Sequence, residues 1–349
     1  MIRKLDSDIV LEQRIEYYDI CKGIAAFCVI LQHFVGLNQA YMKENILFSI
    51  LQYFHMPVFF FISGYFGKSS IQNQSFKRIF VDKFWRLLVP FFAWSALALS
   101  LKYMELWRNG NFTLKNGLIQ IVKVIIYAES VWYFIAIFYC FIFIKLLFIM
   151  TKQNTFLIII TCVVVISIPI KINFFVIYKI QELFIFFVLG IFTDDRLITK
   201  IRNFFNKYFL FFFVIGSSIL IPLSKAYYIY SENWVHFVIV QIVADFCGLL
   251  YIITIIASII EHVPIFKKVL NNFGKHSMEL YCIHMPLLRL VPGALILRIQ
   301  EMPLYIHYLY YILYAYIVAQ FCWWISVNFL NKFKIYRILM LGEGVRKHG

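Results

Sequence analysis

The chain has 349 residues, of which 62% are hydrophobic, 20% aromatic and only 15% charged, with a formal net charge of +15. Soluble domains run nearer roughly 45–50% apolar and about 25% charged, so a soluble globular domain and a disordered chain are both excluded. The basic excess would suit a nucleic-acid partner, but its placement along the chain argues for a membrane surface and no nucleic acid.

After a leader at residues 1–19, apolar runs follow at about 20–37, 47–66, 84–104, 132–150, 155–171, 176–193, 208–223, 235–260, 278–300 and 305–330. A helix needs roughly 20 mostly apolar residues to cross the hydrocarbon of a bilayer. The pattern therefore predicts an all-α integral-membrane protein, a bundle of about ten transmembrane helices. No small-x-small cleavage pattern follows the first run, so it is expected to stay as a helix. The stretch LIQIVKVIIYA, residues 118–128, is too short to span and is expected to be interfacial or re-entrant on the outer side. Residues 1–349 read as a single membrane domain with a helical core at about 20–330 and no additional soluble domain.

With the N-terminus inside, 22 of the 33 Lys and Arg residues fall on cytosolic pieces, against six on the outer side (Lys43, Lys102, Arg108, Lys115, Lys171 and Lys225). That imbalance is the positive-inside signature and places both termini in the cytosol. The seven cysteines sit singly in apolar runs with no C-x-x-C pair, and read as small hydrophobes.

The first run, DICKGIAAFCVILQHF, carries Asp19, Lys22 and His33. Lys22 and His33 are eleven residues apart, three helical turns plus about 20°, so they share a face about 16 Å apart along the axis. Asp19 falls near the same stripe. Ionisable groups inside a span are costly unless paired or wet, which makes them functional candidates; an interfacial Asp19–Lys22 ion pair is the plainer alternative.

The second run, FHMPVFFFISGYFGKSS, holds His55 and Pro57, with Ser63-Gly64 toward its cytosolic end, where small residues let helices approach. Next comes FKRIFVDKFWRLLVPFF. Its Lys77, Arg78, Lys83 and Arg86 are spaced so that several can point one way, and Pro90 then bends the helix; a basic cluster of this kind suits phosphate or simply anchoring. ESVWYFIAIF puts Trp132 and Tyr133 at the outer boundary, as belt residues or sugar-stacking rings. Gln181, Glu182 and Asp245 are buried polar groups, open between helix–helix contact and a pathway. FGKHSMELYCIHMPLL brings Glu279 and His284 into the ninth run. No metal-ligand spacing, nucleophile elbow, phosphate loop or dinucleotide fingerprint is present.

These stretches together resemble the acyltransferase-3 family of integral-membrane O-acyltransferases. The closest likeness is to compact, fucose O-acetylase-like and polysaccharide O-acetyltransferase members. The features that carry it are basic-x10-His (Lys22 to His33), FHMPVFFFISGYF, KRIFVDKFWRLLVPFF, VWYF and SMELYCIHMP, in the family's order over about residues 14 to 330. Lys22 stands where the family more often has Arg, and Lys cannot make a bidentate contact. The resemblance implies acyl-CoA, commonly acetyl-CoA, as co-substrate rather than a resident cofactor. It also implies an extracytoplasmic or surface glycan, or a lipid-linked saccharide, as acceptor, and a bacterial cytoplasmic (inner) membrane location. His33 would be the essential residue, with Lys22 and Asp19 on its stripe. Arg78, Lys83 and Arg86, with Ser63, would serve the CoA side; His55, Trp132, Tyr133, Glu279 and His284 would serve the acceptor. The rival reading is a glycan or lipid-linked-intermediate transporter or flippase using Glu182 and Asp245. Against it, the two halves carry no matching pair of interrupted helices. A sensor or structural membrane protein would not need three such histidines.

Overall fold

The computed structural model describes residues 2–37, 46–167, 176–208, 234–256, 259–260, 262–288 and 302–343, and among them there is helix but no strand. The helices are α1 Ile2–Gly36, α2 Ile46–Asn73, α3 Phe76–Lys83, α4 Val89–Arg108, α5 Leu114–Ile121, α6 Trp132–Met150, α7 Thr155–Ser167, α8 Ile177–Phe192, α9 Asp195–Lys207, α10 Trp234–Leu250, α11 Pro264–Lys275, α12 Ser277–Leu288, α13 Leu304–Asn328 and α14 Lys334–Leu341. Four stretches are long and apolar enough to cross a membrane: Glu16–Gly36, Phe76–Arg108, Trp132–Met150 and Tyr305–Lys332. All but the first residue of the expected span 208–223, and residues 168–171, 257–258 and 289–300 of three others, lie outside the described residues.

Short polar side chains start several of these helices. Ser75 Oγ accepts from the Arg78 N–H at 3.3 Å, Thr113 Oγ1 from Asn116 at 3.1 Å and Asp194 Oδ1 from Leu197 at 2.7 Å. Each satisfies a donor that the first turn leaves open. Within Phe76–Arg108, Pro90 cannot donate to the carbonyl of Arg86. The helix answers with a π-turn at Phe84–Leu88, in which the Val89 N–H reaches back to the Phe84 carbonyl. The bend expected at Pro90 therefore begins one turn earlier. The stretch 118–128 is short α5 followed by a second π-turn, Val122–Ile126, and is not among the four long helices.

The helices group into two compact units. The first comprises Met1–Ile62 and Phe192–Trp324. Lipid is as apolar as leucine, so helices in a bilayer gain little from burial alone and depend on close contact. Here α1 lies against α11 through paired glycines. A Cβ on Gly23 would collide with the carbonyl of Leu270, and one on Gly274 with the carbonyl of Asp19. Further along α1, Phe34 stacks on Tyr314 of α13, ring centroids 4.3 Å apart and planes 16° apart.

The second unit comprises Ser63–Ile191 and Ile325–Gly349. Gly64 faces the backbone carbonyl of Phe187 on α8, so the Ser63-Gly64 pair does permit the close packing expected of it. Lys145 on α6 donates to the Ile71 carbonyl of α2 at 2.8 Å. At the chain's end, α14 is tied to α4 by a hydrogen bond from Trp94 Nε1 to the Met340 carbonyl at 3.0 Å. Gly342 closes α14 at φ +64° against the π-turn backbone at Arg86, where a side chain has neither the conformation nor the room.

Candidate active site

The first unit brings together three of the singled-out histidines and both predicted carboxylates. Asp19 and Lys22 form an ion pair of 2.7 Å, with Asp19 buried and Lys22 half-buried. The helix runs without interruption to Gly36, so the stripe reaches His33, about 21 Å beyond Asp19 along the axis. His33 occupies the last turn of α1 and is exposed, on a helix whose neighbouring residues Leu31, Phe34 and Val35 are buried.

α12 delivers the second imidazole. His284 is 1% exposed, and its ring centroid lies 5.2 Å from that of His33, the planes tilted by 35°. Its Nδ1 donates to the Leu280 carbonyl at 2.9 Å. His55 on α2 is buried in the same manner, with Nδ1 donating to the Leu51 carbonyl at 2.7 Å, and lies within electrostatic reach of His284. Glu279 is buried at the start of α12, where it accepts from His276 Nδ1 at 2.8 Å. His276 was not singled out in the sequence; its position three residues before Glu279 was the available signal. Glu16 anchors the opposite side of this helix junction by an ion pair with Lys267 at 3.0 Å.

The second unit holds the remaining candidates, and it divides the basic cluster. Arg78 is exposed and Arg86 half-exposed, 3.9 Å from Asp82. Lys83 is turned inward: it is 8% exposed, 3.4 Å from Asp82, and its ammonium sits 4.1 Å over the ring centre of Phe141. Lys83 thus parts from Lys77 and Arg78, which stay exposed. Ser63 and Tyr133, expected toward opposite ends of their runs, are joined by a 2.9 Å hydrogen bond. The reason is that α2 begins at Ile46 and continues to Asn73, which puts Ser63 about 25 Å along it, level with the start of α6. Trp132 has one face covered by the Lys179 ammonium at 4.1 Å, a contact within α6 and α8 that hydropathy did not reveal. Of the polar groups assigned to a transport pathway, Asp245 lies in the first unit, where it accepts from Gln241 within α10 at 2.9 Å. Among the described residues no cluster of His, Cys, Asp and Glu is arranged to hold a metal ion.

Comparison with known proteins fits the expected class. The family described as "Acyltransferase domain" matches residues 15–327, and the chain belongs to it. It is also 26% identical over 177 residues to the nodulation protein NolL of Sinorhizobium fredii (strain NBRC 101917 / NGR234), which covers 50% of this chain and 47% of that protein. The nodulation protein NolL of Mesorhizobium japonicum (strain LMG 29417 / CECT 9101 / MAFF 303099) is 26% identical over 162 residues, 45% of this chain and 42% of its own. The chain thus spans about half the length of the curated relatives it matches. No solved structure matches it.

Proposed function

We propose that the protein is a membrane-embedded O-acyltransferase of the bacterial cytoplasmic membrane, moving an acetyl group from cytosolic acetyl-CoA to a hydroxyl of an extracytoplasmic glycan. The observation that carries this reading is the exposed His33 imidazole among the buried apolar neighbours Leu31, Phe34 and Val35, inside the span that matches an acyltransferase family. A neutral imidazole within hydrogen-bond reach of a hydroxyl can act as general base. One nitrogen of His33 takes the acceptor's O–H proton while the oxygen's electron pair attacks the thioester carbonyl. The carbon–sulfur bond then breaks, and the leaving CoA thiolate recovers the proton from His33. A covalent acyl-histidine route would use the same residue as nucleophile.

The donor's phosphates carry too much charge to enter hydrocarbon, so they are assigned to the aqueous surface. Arg78 and Arg86 are the side chains available there, since Lys83 is committed to Phe141 and Asp82. Lys22, held by Asp19, lines the donor's approach to His33 along α1. On the acceptor side we place His55 and Glu279 in the first unit. In the second unit we place Trp132, whose ring carries the Lys179 ammonium, and Tyr133, which Ser63 holds at 2.9 Å.

The test is acetyl-CoA binding and thioester cleavage by purified protein in nanodiscs, wild type beside His33→Ala. Binding by both with cleavage only by wild type is the expected result. If an intact fold binds no acetyl-CoA in either form, the acyltransferase reading fails and a transporter takes its place.

A further inference from the structure

We propose that His284 is a positioning residue for His33: the two imidazoles form a dyad in which His284 Nε2 accepts the N–H of His33 and thereby fixes which nitrogen of His33 is the base. This role rests on His33 being the general base of an acyltransferase and adds to that reading the element that sets its tautomer.

A carbonyl oxygen can only accept, so the 2.9 Å contact with Leu280 places the hydrogen of His284 on Nδ1. In the neutral ring Nε2 then carries a lone pair and no hydrogen. That atom is fully buried and has no hydrogen-bond partner among the described residues. A buried acceptor left unmade is costly, and native proteins tolerate few of them. The ring of His33 lies beside it, with centroids 5.2 Å apart and planes tilted by 35°. The dyad pairs an N–H of the exposed His33 with that lone pair.

The anchoring is built into the chain. Leu280-x-x-x-His284-Met285-Pro286 repeats the pattern Leu51-x-x-x-His55-Met56-Pro57, and in both cases the histidine Nδ1 is tied to the leucine carbonyl one turn back. A ring so tied cannot flip its tautomer without losing that bond. During transfer one nitrogen of His33 gains the hydroxyl proton, and the N–H on the other, held by His284, shares the positive charge that forms. His284 itself gains and loses no proton. The role parallels that of the orienting residue in a nucleophile–base–orienter triad, with a neutral acceptor in place of a carboxylate.

The experiment uses full-length protein labelled with 15N-histidine in nanodiscs, with His33 assigned by comparison with His33→Gln. In wild type, His33 should show a single tautomer and a 15N–15N coupling through the hydrogen bond to His284. His284→Leu should leave His33 as a tautomer mixture, and His284→Gln, whose amide oxygen still accepts, should restore the single form. Acetyl-CoA cleavage should fall roughly 10²-fold in His284→Leu, with its KM for acetyl-CoA unchanged, in keeping with the usual size of general-base effects. Absence of the coupling in wild type, or an unaltered His33 spectrum in His284→Leu, overturns the dyad. A coupled pair in a protein that never cleaves acetyl-CoA would instead overturn the acyltransferase reading and leave the dyad standing.

Discussion

The helix that carries Asp19, Lys22 and His33 and the segment that carries Arg78, Lys83 and Arg86 treat their polar residues in opposite ways. α1 is one unbroken α-helix, so residues that share a face by spacing share it in the folded chain. Phe76–Arg108 is interrupted by a π-turn at Phe84–Leu88, which adds a residue to one turn and rotates the residues beyond it by about 100° relative to α-helical register. Lys83 ends up buried over Phe141, while Arg78 and Arg86 stay accessible. Arg78 and Lys83 both precede the π-turn and lie five residues apart, about 140° around a regular helix, so their spacing alone turns them to different faces.

The largest effect that would break this contrast is at His33. His33→Ala should lower thioester cleavage by roughly 10²- to 10⁴-fold, the range of a general base. Cleavage within a factor of two of wild type would remove the chemistry from α1. Next is the glycine contact that holds α1 against α11. Gly274→Val should cost about 3 kcal/mol or more, because its side chain meets the Asp19 backbone rather than a movable side chain. Gly117→Ala, with nothing nearer than 3.7 Å to its added carbon, should stay within about 0.5 kcal/mol. Equal unfolding midpoints in detergent for the two variants would mean that the α1–α11 contact does not hold the first unit together.

Smaller effects separate the basic residues. Arg86→Ala should raise the KM for acetyl-CoA about tenfold, consistent with loss of a charged hydrogen bond worth roughly 1.5–3 kcal/mol. Lys83→Met should leave that KM nearly unchanged and lower the thermal midpoint instead, since it loses a cation–π contact worth about 0.5–2 kcal/mol. The reverse pattern would return the phosphate site to Lys83. The smallest change expected is Tyr133→Phe, which removes the hydrogen bond to Ser63 and should cost about 1 kcal/mol of stability. A midpoint identical to wild type would show that the bond is replaced by solvent.

Much of this was legible beforehand. Hydropathy marked the long helices, the spacing of Lys22 and His33 held because α1 is continuous, and Ser63-Gly64 behaved as a small-residue contact because nothing larger fits against Phe187. Other features had no local signal. That Tyr133 meets Ser63 depends on how far α2 extends along α6, and that Trp132 is covered by Lys179 depends on where α8 docks. His284 could be named as a candidate from SMELYCIHMP, but not as the ring facing His33.

The sequence by itself determined the helical membrane class and the polar line along α1, because hydropathy and helical period are properties of neighbouring residues; the family showed in motifs kept in order along the chain. Only the tertiary structure decided which imidazole stands beside His33 and which of the basic side chains is buried. Those outcomes depend on the glycine-to-backbone contact of α1 with α11 and on the docking of α3 against α6, where Phe141 meets Lys83. Both join groups far apart in sequence, at distances that spacing along the chain does not encode.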